Sequence, residues 1–141
     1  GGKLTTYRVL AEEALDLLRA HLPGMGPAWT ARGDALPGSD WGDAGAAWVQ
    51  LQRLAPWLPA PLARRWAEAY GSRSAALIDG ASALADLGED FGSGLHAREV
   101  AWLQHHEWAR TAEDVLWRRS KLGLRLDAAQ VARLQAWMQK R

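Results

Sequence analysis

The chain opens on Gly1-Gly2-Lys3-Leu4-Thr5-Thr6-Tyr7-Arg8, two glycines and a lysine running straight into an amphipathic helical pattern. Paired glycines let backbone approach a ligand closely, and the free N–H groups of a first helical turn favour negative charge. Thr5 or Thr6 is placed to cap the helix, and Lys3 adds a full positive charge at the same point. Together these residue types make one wall of an anion or cofactor site whose other walls the sequence does not display. The sequence does not begin with methionine, and no signal peptide is expected.

A second constellation is Glu107, Arg110, Asp114 and Arg118, alternating in sign at the spacing of neighbours on a helix surface. Val100, Leu103 and Trp117 lie along or beside the same line, so a partly buried charge network held by other helices is expected. No nucleophile or metal-ligand set accompanies it, which favours a structural role over a catalytic one. His105-His106-Glu107 suggests a metal only superficially: adjacent histidines point about 100° apart on a helix and cannot chelate one ion together. No metal is expected. Arg118-Arg119-Ser120-Lys121, with Arg125 beyond, is the one dense basic run, and at a helix C-terminus the dipole accounts for most of it.

Composition narrows the classes further. The 17 basic and 16 acidic residues are mixed along the chain, whereas a nucleic-acid binder concentrates basic charge on one face. No nucleic-acid partner is expected. The lack of cysteine excludes a disulfide scaffold and thiolate chemistry, and fits a cytoplasmic setting. No apolar run approaches the ~20 residues that span a bilayer, so any membrane association is expected to be peripheral or borrowed from a partner. Nine tryptophans in 141 residues read as helix-packing residues, since a base- or sugar-stacking platform needs basic side chains beside the rings and only Trp117 has them.

The elements that must position these residues have the helical period almost throughout. A first helix is predicted over 6–22, with Tyr7, Leu10, Ala11, Ala14, Leu17, Leu18 and Leu22 on one face, ended by Pro23-Gly24. Residues 23–40, rich in glycine and proline, read as a connector. Asp40 is expected to cap a helix over 42–55 with Trp48, Leu51 and Ala55 inward, and Pro61 to start another that buries Leu62, Trp66, Ala69 and Tyr70. Gly71-Ser72 predicts a sharp turn, Ser72 capping a short helix through Ile78; the glycine-rich stretch 79–96 gives little beyond a helical turn over 82–87. The longest helix is expected over 97–122, closed by Gly123 as a left-handed cap, and Asp127 is expected to cap a last one carrying Val131, Leu134, Trp137 and Met138. The fold class is all-α, a compact bundle of about six helices. The expected domains are a strip and helix over 1–22, the connector 23–40 and a helical domain over 41–141.

The opening Gly-Gly-Lys-Leu-Thr-Thr-Tyr-Arg with Ala11-Glu12 resembles the segment that closes the FAD-binding portion of FAD-dependent glycerol-3-phosphate dehydrogenases. The run His106-Glu107-Trp108-Ala109-Arg110-Thr111-Ala112-Glu113-Asp114-Val115-Leu116-Trp117-Arg118-Arg119-Ser120-Lys121-Leu122-Gly123 is similar to the signature helix of their C-terminal, cap-like α-helical domain. Tyr70-Gly71-Ser72-Arg73 and Leu36-Pro37-Gly38 match as well. Ser120 stands where threonine is usual, and the loop from Gly80 to His96 matches poorly.

The resemblance implies an enzyme that oxidises sn-glycerol 3-phosphate to dihydroxyacetone phosphate, hydride passing from substrate C2 to flavin N5 and electrons on to membrane quinone. It implies FAD contacts from Gly2, Lys3, Leu4 and Thr5, with Lys3 also a candidate substrate contact. A helix N-terminus and an ammonium suit the negative charge of reduced flavin. The chain is then expected to be a C-terminal fragment that folds alone and is inactive without its N-terminal FAD and substrate domain. In the whole enzyme a homodimer and a peripheral place on the inner face of the cytoplasmic membrane are implied. The alternatives are a fragment of a glycerol-3-phosphate oxidase that uses O2, and a helical protein-interaction module.

Overall fold

The computed structural model describes residues 3–26, 33 and 35–140, and among them six α-helices and short 3-10 and π-helical turns occur with no strand. The chain is all-α, as its periodicity predicts. It divides into two compact units, Gly1–Ala35 and Leu36–Arg141.

In the first unit a 3-10 turn, Leu4–Thr6, runs into α1 (Tyr7–Leu18) and a closing 3-10 turn, Arg19–His21. Ion pairs Arg8–Glu12 at 3.1 Å and Arg19–Asp16 at 2.9 Å stitch successive turns on the polar side. None of the α1 residues is buried, so the apolar face read from the sequence is real but uncovered. Gly24, at φ +90°, ends the segment where Pro23-Gly24 predicts.

The second unit begins its core with α2 (Ala44–Leu54) and α3 (Ala60–Tyr70), which pack together across a short proline-bearing link. Asp43 caps α2 through a 2.9 Å bond from the Ala46 N–H, so Asp40 is not the cap; it accepts the Ser72 hydroxyl at 2.7 Å instead. That bond also removes Ser72 from the capping role expected of it. Ala47, Leu51 and Ala55 face Leu62, Ala63 and Trp66, and Trp66 is the largest side chain wholly removed from water. Trp48 and Ala69 are exposed rather than inward. On α2 the inward line is Ala47-Leu51, and Trp48 lies about 100° off it; on α3 Ala69 lies about 200° round from Ala67.

Gly71 stands where α3 must turn. Its φ of +54° and ψ of −132° suit glycine alone, and a Cβ there would sit 1.8 Å from the Gly38 carbonyl oxygen. That carbonyl accepts the Ser72 N–H at 2.9 Å. A 3-10 turn, Gly71–Ser74, then leads into α4 (Ala75–Ile78).

The stretch 79–96 has little period but supplies core. Leu87, Phe91 and Leu95 are all but fully buried, the Phe91 N–H donates to the Leu95 carbonyl at 2.9 Å, and Asp90 bridges to His96. A 3-10 turn, Leu84–Leu87, is held by Asp86, whose carboxylate accepts from the Ser82 N–H, the Ala83 N–H and the Ser82 hydroxyl. Those bonds keep its carboxyl below the usual carboxylate range.

The long helix expected over 97–122 is two helices. α5 (Ala97–His106) stops at Glu107, Trp108 adopts φ +54°, and the N–H groups of Glu107 and Ala109 both donate to the Leu103 carbonyl, at 2.9 and 3.2 Å. The helix restarts through a reciprocal cap: the Thr111 N–H donates to Asp114 Oδ2 at 2.9 Å, and the Asp114 N–H donates to Thr111 Oγ1 at 3.2 Å. The restarted helix is π-helical over Asp114–Arg119 and closes with Lys121, not Gly123, in the left-handed conformation at φ +59°. Asp127 caps α6 (Ala128–Gln139) in a capping box with Gln130, as expected, and buries Leu134 and Met138.

The two glycines at φ > 0 with different surroundings give a direct comparison. Gly71→Ala is expected to cost about 3 kcal/mol, backbone strain plus collision, in urea denaturation. Gly80→Ala, at φ +67° with open space around it, is expected to cost only about 1 kcal/mol. Equal costs would show that the Gly38–Gly71 contact is not what fixes this turn.

Candidate functional site

The N-terminal strip places Lys3 in extended conformation immediately before the first helical turn. The Thr6 N–H and the Thr6 hydroxyl both donate to the Lys3 carbonyl, at 3.0 and 3.1 Å. The hydroxyl is thereby turned back on the preceding residue, and neither Thr5 nor Thr6 caps α1, contrary to the reading of the sequence. Lys3, Leu4 and Thr5 are exposed side by side, and among the described residues the Lys3 ammonium has no hydrogen-bond or ion-pair partner. Gly2 lies outside the described residues. An unpaired ammonium beside first-turn N–H donors has the chemistry to meet an electron-rich ring edge or an oxyanion.

In the helical unit the charge centre lies away from the predicted stripe. Glu99 on α5 is fully buried and accepts both arms of the Arg65 guanidinium, from α3, at 2.6 Å each. The Tyr70 hydroxyl donates to the same carboxylate at 2.6 Å, and the second Arg65 arm also donates to the Gly94 carbonyl at 2.9 Å. One carboxylate thus ties α3, α5 and the 88–96 loop together. Arg65 and Glu99 were missed because charged residues are read as solvated. Their positions are the signal: Glu99 stands at helical spacing from Leu95, Trp102 and Leu103, on an apolar face.

An aromatic layer covers this pair. Trp102 packs 4.8 Å from the Tyr70 ring and 5.2 Å from the His106 ring, and the Arg73 guanidinium sits 4.8 Å over its face. Arg73 donates to Glu107 at 3.2 Å, while Arg119 donates to the Glu107 carbonyl at 2.8 Å. Of the predicted stripe, the fold brings together Asp114 and Arg118, paired at 2.7 Å with Glu113 adding a contact at 2.9 Å. Glu107 turns away to Arg73 because the helix breaks after it. Arg110 contributes its backbone N–H to Asp114, at 3.0 Å, and its guanidinium has no partner among the described residues.

These environments set the proton affinities. Burial first, then the Glu99 charge and hydrogen bond, push the Tyr70 hydroxyl far above its usual value of 10.0. Burial alone would lower Arg65, but its hydrogen bonds and charge pairing with Glu99 outweigh that and raise it. The N–H donors of Arg110 and Thr111 hold Asp114 well below the usual carboxylate range, with help from the Thr111 hydroxyl and Arg118. Tyr70 therefore keeps its proton and Glu99 has every strong donor it can use nearby. The cluster is built to hold helices together, not to exchange protons with a substrate. Among the described residues no His, Cys, Asp and Glu group could hold a metal ion.

A group whose pKa rises on folding stabilises the protein below its unfolded pKa, and that stability is lost as pH rises past it. Above about pH 10 the unfolded chain releases the Tyr70 proton while the folded chain keeps it, so stability is expected to fall by about 1.4 kcal/mol per pH unit from this group. Tyr70→Phe should lower stability at neutral pH and flatten that alkaline slope by the same amount in denaturant titrations. An unchanged slope would separate Tyr70 from the buried carboxylate.

Comparison with known proteins places the chain. Residues 31–139 match the family described as the C-terminal domain of alpha-glycerophosphate oxidase. A glycerol-3-phosphate dehydrogenase of Pseudomonas aeruginosa is 51% identical over 139 residues, which are 99% of this chain and 27% of that protein. The aerobic glycerol-3-phosphate dehydrogenase of Escherichia coli is 46% identical over 138 residues, 98% of this chain and 28% of the relative. A D-erythritol 1-phosphate dehydrogenase of Brucella abortus is 40% identical over 140 residues, again covering 28% of the relative. The chain spans less than a third of the length of these curated relatives. The family model covers well over half of the chain, and the chain therefore belongs to the family described as the C-terminal domain of alpha-glycerophosphate oxidase.

Proposed function

We propose that this chain acts as the C-terminal portion of an FAD-dependent enzyme that oxidises sn-glycerol 3-phosphate to dihydroxyacetone phosphate and passes the electrons to quinone. The observation that carries the reading is the match of nearly the whole chain, Lys3 strip included, to dehydrogenases of this substrate at 51 and 46% identity. Flavin, when bound, supplies the hydride acceptor. Gly2, Lys3, Leu4 and Thr5 are the residues proposed to meet it. The exposed, unpaired Lys3 ammonium and the first-turn N–H groups supply positive potential where reduced flavin carries negative charge. Lys3 is also proposed to meet the phosphate or hydroxyl oxygens of the substrate. The network of Asp114 and Arg118, with Glu107 and Arg110 beside it, has a structural part, fixing the helix restart.

The division proposed for the polypeptide is a flavin-side strip over 1–22, a connector over 23–40 and a helical domain over 41–141. The strip's uncovered apolar face supports an N-terminal FAD and substrate domain as its partner, because an amphipathic helix gains stability only when that face is buried. No described helix is long and apolar enough to cross a membrane. Electron delivery to quinone is proposed at a peripheral contact on the inner face of the cytoplasmic membrane, made by an enzyme that is a homodimer. The family's description as an oxidase favours oxygen as the alternative acceptor, and the Brucella relative extends the substrate class to a longer polyol phosphate.

The test is a chimera in which this chain replaces the matching segment of the Pseudomonas aeruginosa relative. Bound flavin and glycerol-3-phosphate-dependent reduction of a quinone analogue, within about tenfold of the parent, are the expected results. Lys3→Met in the chimera should lower kcat/KM by about 10- to 100-fold, the scale of removing one electrostatic contact to a developing charge. A chimera that keeps its flavin yet turns over only with D-erythritol 1-phosphate, or only with oxygen, would contradict the proposal.

A further inference from the structure

A cavity of about 730 Å³ opens in the helical unit between α3, the 88–96 loop and the 120–125 turn. Its lining carries four Lys and Arg side chains and two carboxylates. Local pairing decides which charges are left over. Arg65 is spent on the buried Glu99, and Arg64 is paired with Glu68 at 3.1 Å. Asp90 accepts the Gly92 N–H at 2.8 Å, while Arg133 donates to the Asp90 carbonyl at 3.2 Å and brings a further positive charge beside it. Lys121 donates to the Trp117 carbonyl, which is neutral, and has no ion-pair partner among the described residues. Arg125 has no hydrogen-bond or ion-pair partner among the described residues, and neither has the Ser93 hydroxyl.

The backbone around the cavity is held in costly conformations. Only three non-glycine residues among those described have positive φ, and two of them, Ser93 at +52° and Lys121 at +59°, line this one cavity from different loops. Such conformations persist where surrounding bonds over-determine them. Here the Gly94 carbonyl is held by Arg65, and the Lys121 carbonyl accepts the Leu124 N–H at 3.3 Å. Leu62 and Leu122 give the cavity an apolar wall.

We propose that this cavity binds a phosphate ester. The Arg125 fork and the Lys121 ammonium take the phosphate oxygens, the Ser93 hydroxyl donates a further bond, and the leucine wall receives the carbon body of the ester. A free organic phosphate and a phospholipid headgroup share this chemistry. Cavities of this size suit small organic ligands with a few convergent polar groups.

The experiment is a ¹H–¹⁵N NMR titration of the protein with inorganic phosphate, with phenyl phosphate, and with phosphatidylcholine vesicles containing phosphatidylglycerol. Saturable shifts at the amides of Ser93, Gly94, Lys121 and Arg125, tighter for phenyl phosphate than for inorganic phosphate, are expected. Lys121→Asn, which tolerates positive φ, combined with Arg125→Gln should weaken binding at least about tenfold while leaving shifts elsewhere unchanged. Arg125→Gln alone should give part of that loss. Binding to vesicles alone, lost in the double variant, assigns the site to a lipid headgroup and supports the proposal. No saturable binding to any of the three, or binding that the double variant retains, overturns it.

Discussion

The fold of the helical unit rests on one buried carboxylate. Moving Glu99 from water into a core costs several kcal/mol, and only near-ideal partners recover that cost. Here it has them: a two-armed guanidinium, a phenol and no remaining demand. Each partner comes from a place that apolar packing alone would leave adjustable. Arg65 and Tyr70 sit five residues apart at the C-terminal half of α3, Glu99 is in the first turn of α5, and Arg65 reaches on to the Gly94 carbonyl. Hydrophobic contact between α3 and α5 could slide by a residue at modest cost, but the ion pair cannot. Trp102, stacked against Tyr70 and Arg73, extends the constraint to the turn at Gly71 and, through Glu107 and Arg119, to the π-helical segment.

The run 106–123 is not one helix. The backbone leaves the helical path at Trp108 and re-enters at the Thr111–Asp114 cap, and with the helix broken there Glu107 pairs with Arg73 while its carbonyl accepts from Arg119. The break leaves Trp108 80% exposed, while Trp66 and Trp102 are taken into the core. The first unit has the opposite character. Its helix is amphipathic yet buries nothing, and its charged end is the part proposed to meet flavin.

How much was legible follows from which forces act locally. The end at Gly24, the cap at Asp127 and the inward lines of Leu51, Trp66 and Leu134 depend on neighbours within a turn or two, and the periodic pattern exposes them. Asp40 is the expected cap and Asp43 the observed one: both precede the helix, and Asp40 is engaged by the tertiary Ser72 bond while Asp43 accepts the Ala46 N–H. The break at Trp108 lies inside a good helical pattern, and the partner that Glu107 takes at the break, Arg73, stands 34 residues away. A Thr-x-x-Asp box at Thr111 was nevertheless there to be read as a helix start. The loop 79–96 buries Phe91 and Leu95 through bonds to its own backbone, for which no sequence period exists. For the candidate site, Lys3 and its neighbours came from resemblance, whereas Arg65 and Glu99 needed the observation that a charge sits on an apolar face.

The account's central physical claim is that the Arg65–Glu99 pair couples α3 to α5. A double-mutant cycle with Arg65→Met, Glu99→Leu and their combination, read by urea unfolding, measures that coupling directly. Each single substitution leaves a buried group unpaired and is expected to cost about 3–5 kcal/mol, while the combination costs markedly less than the sum, giving a coupling of at least about 2 kcal/mol. A coupling below about 0.5 kcal/mol, with costs that simply add, would contradict the claim.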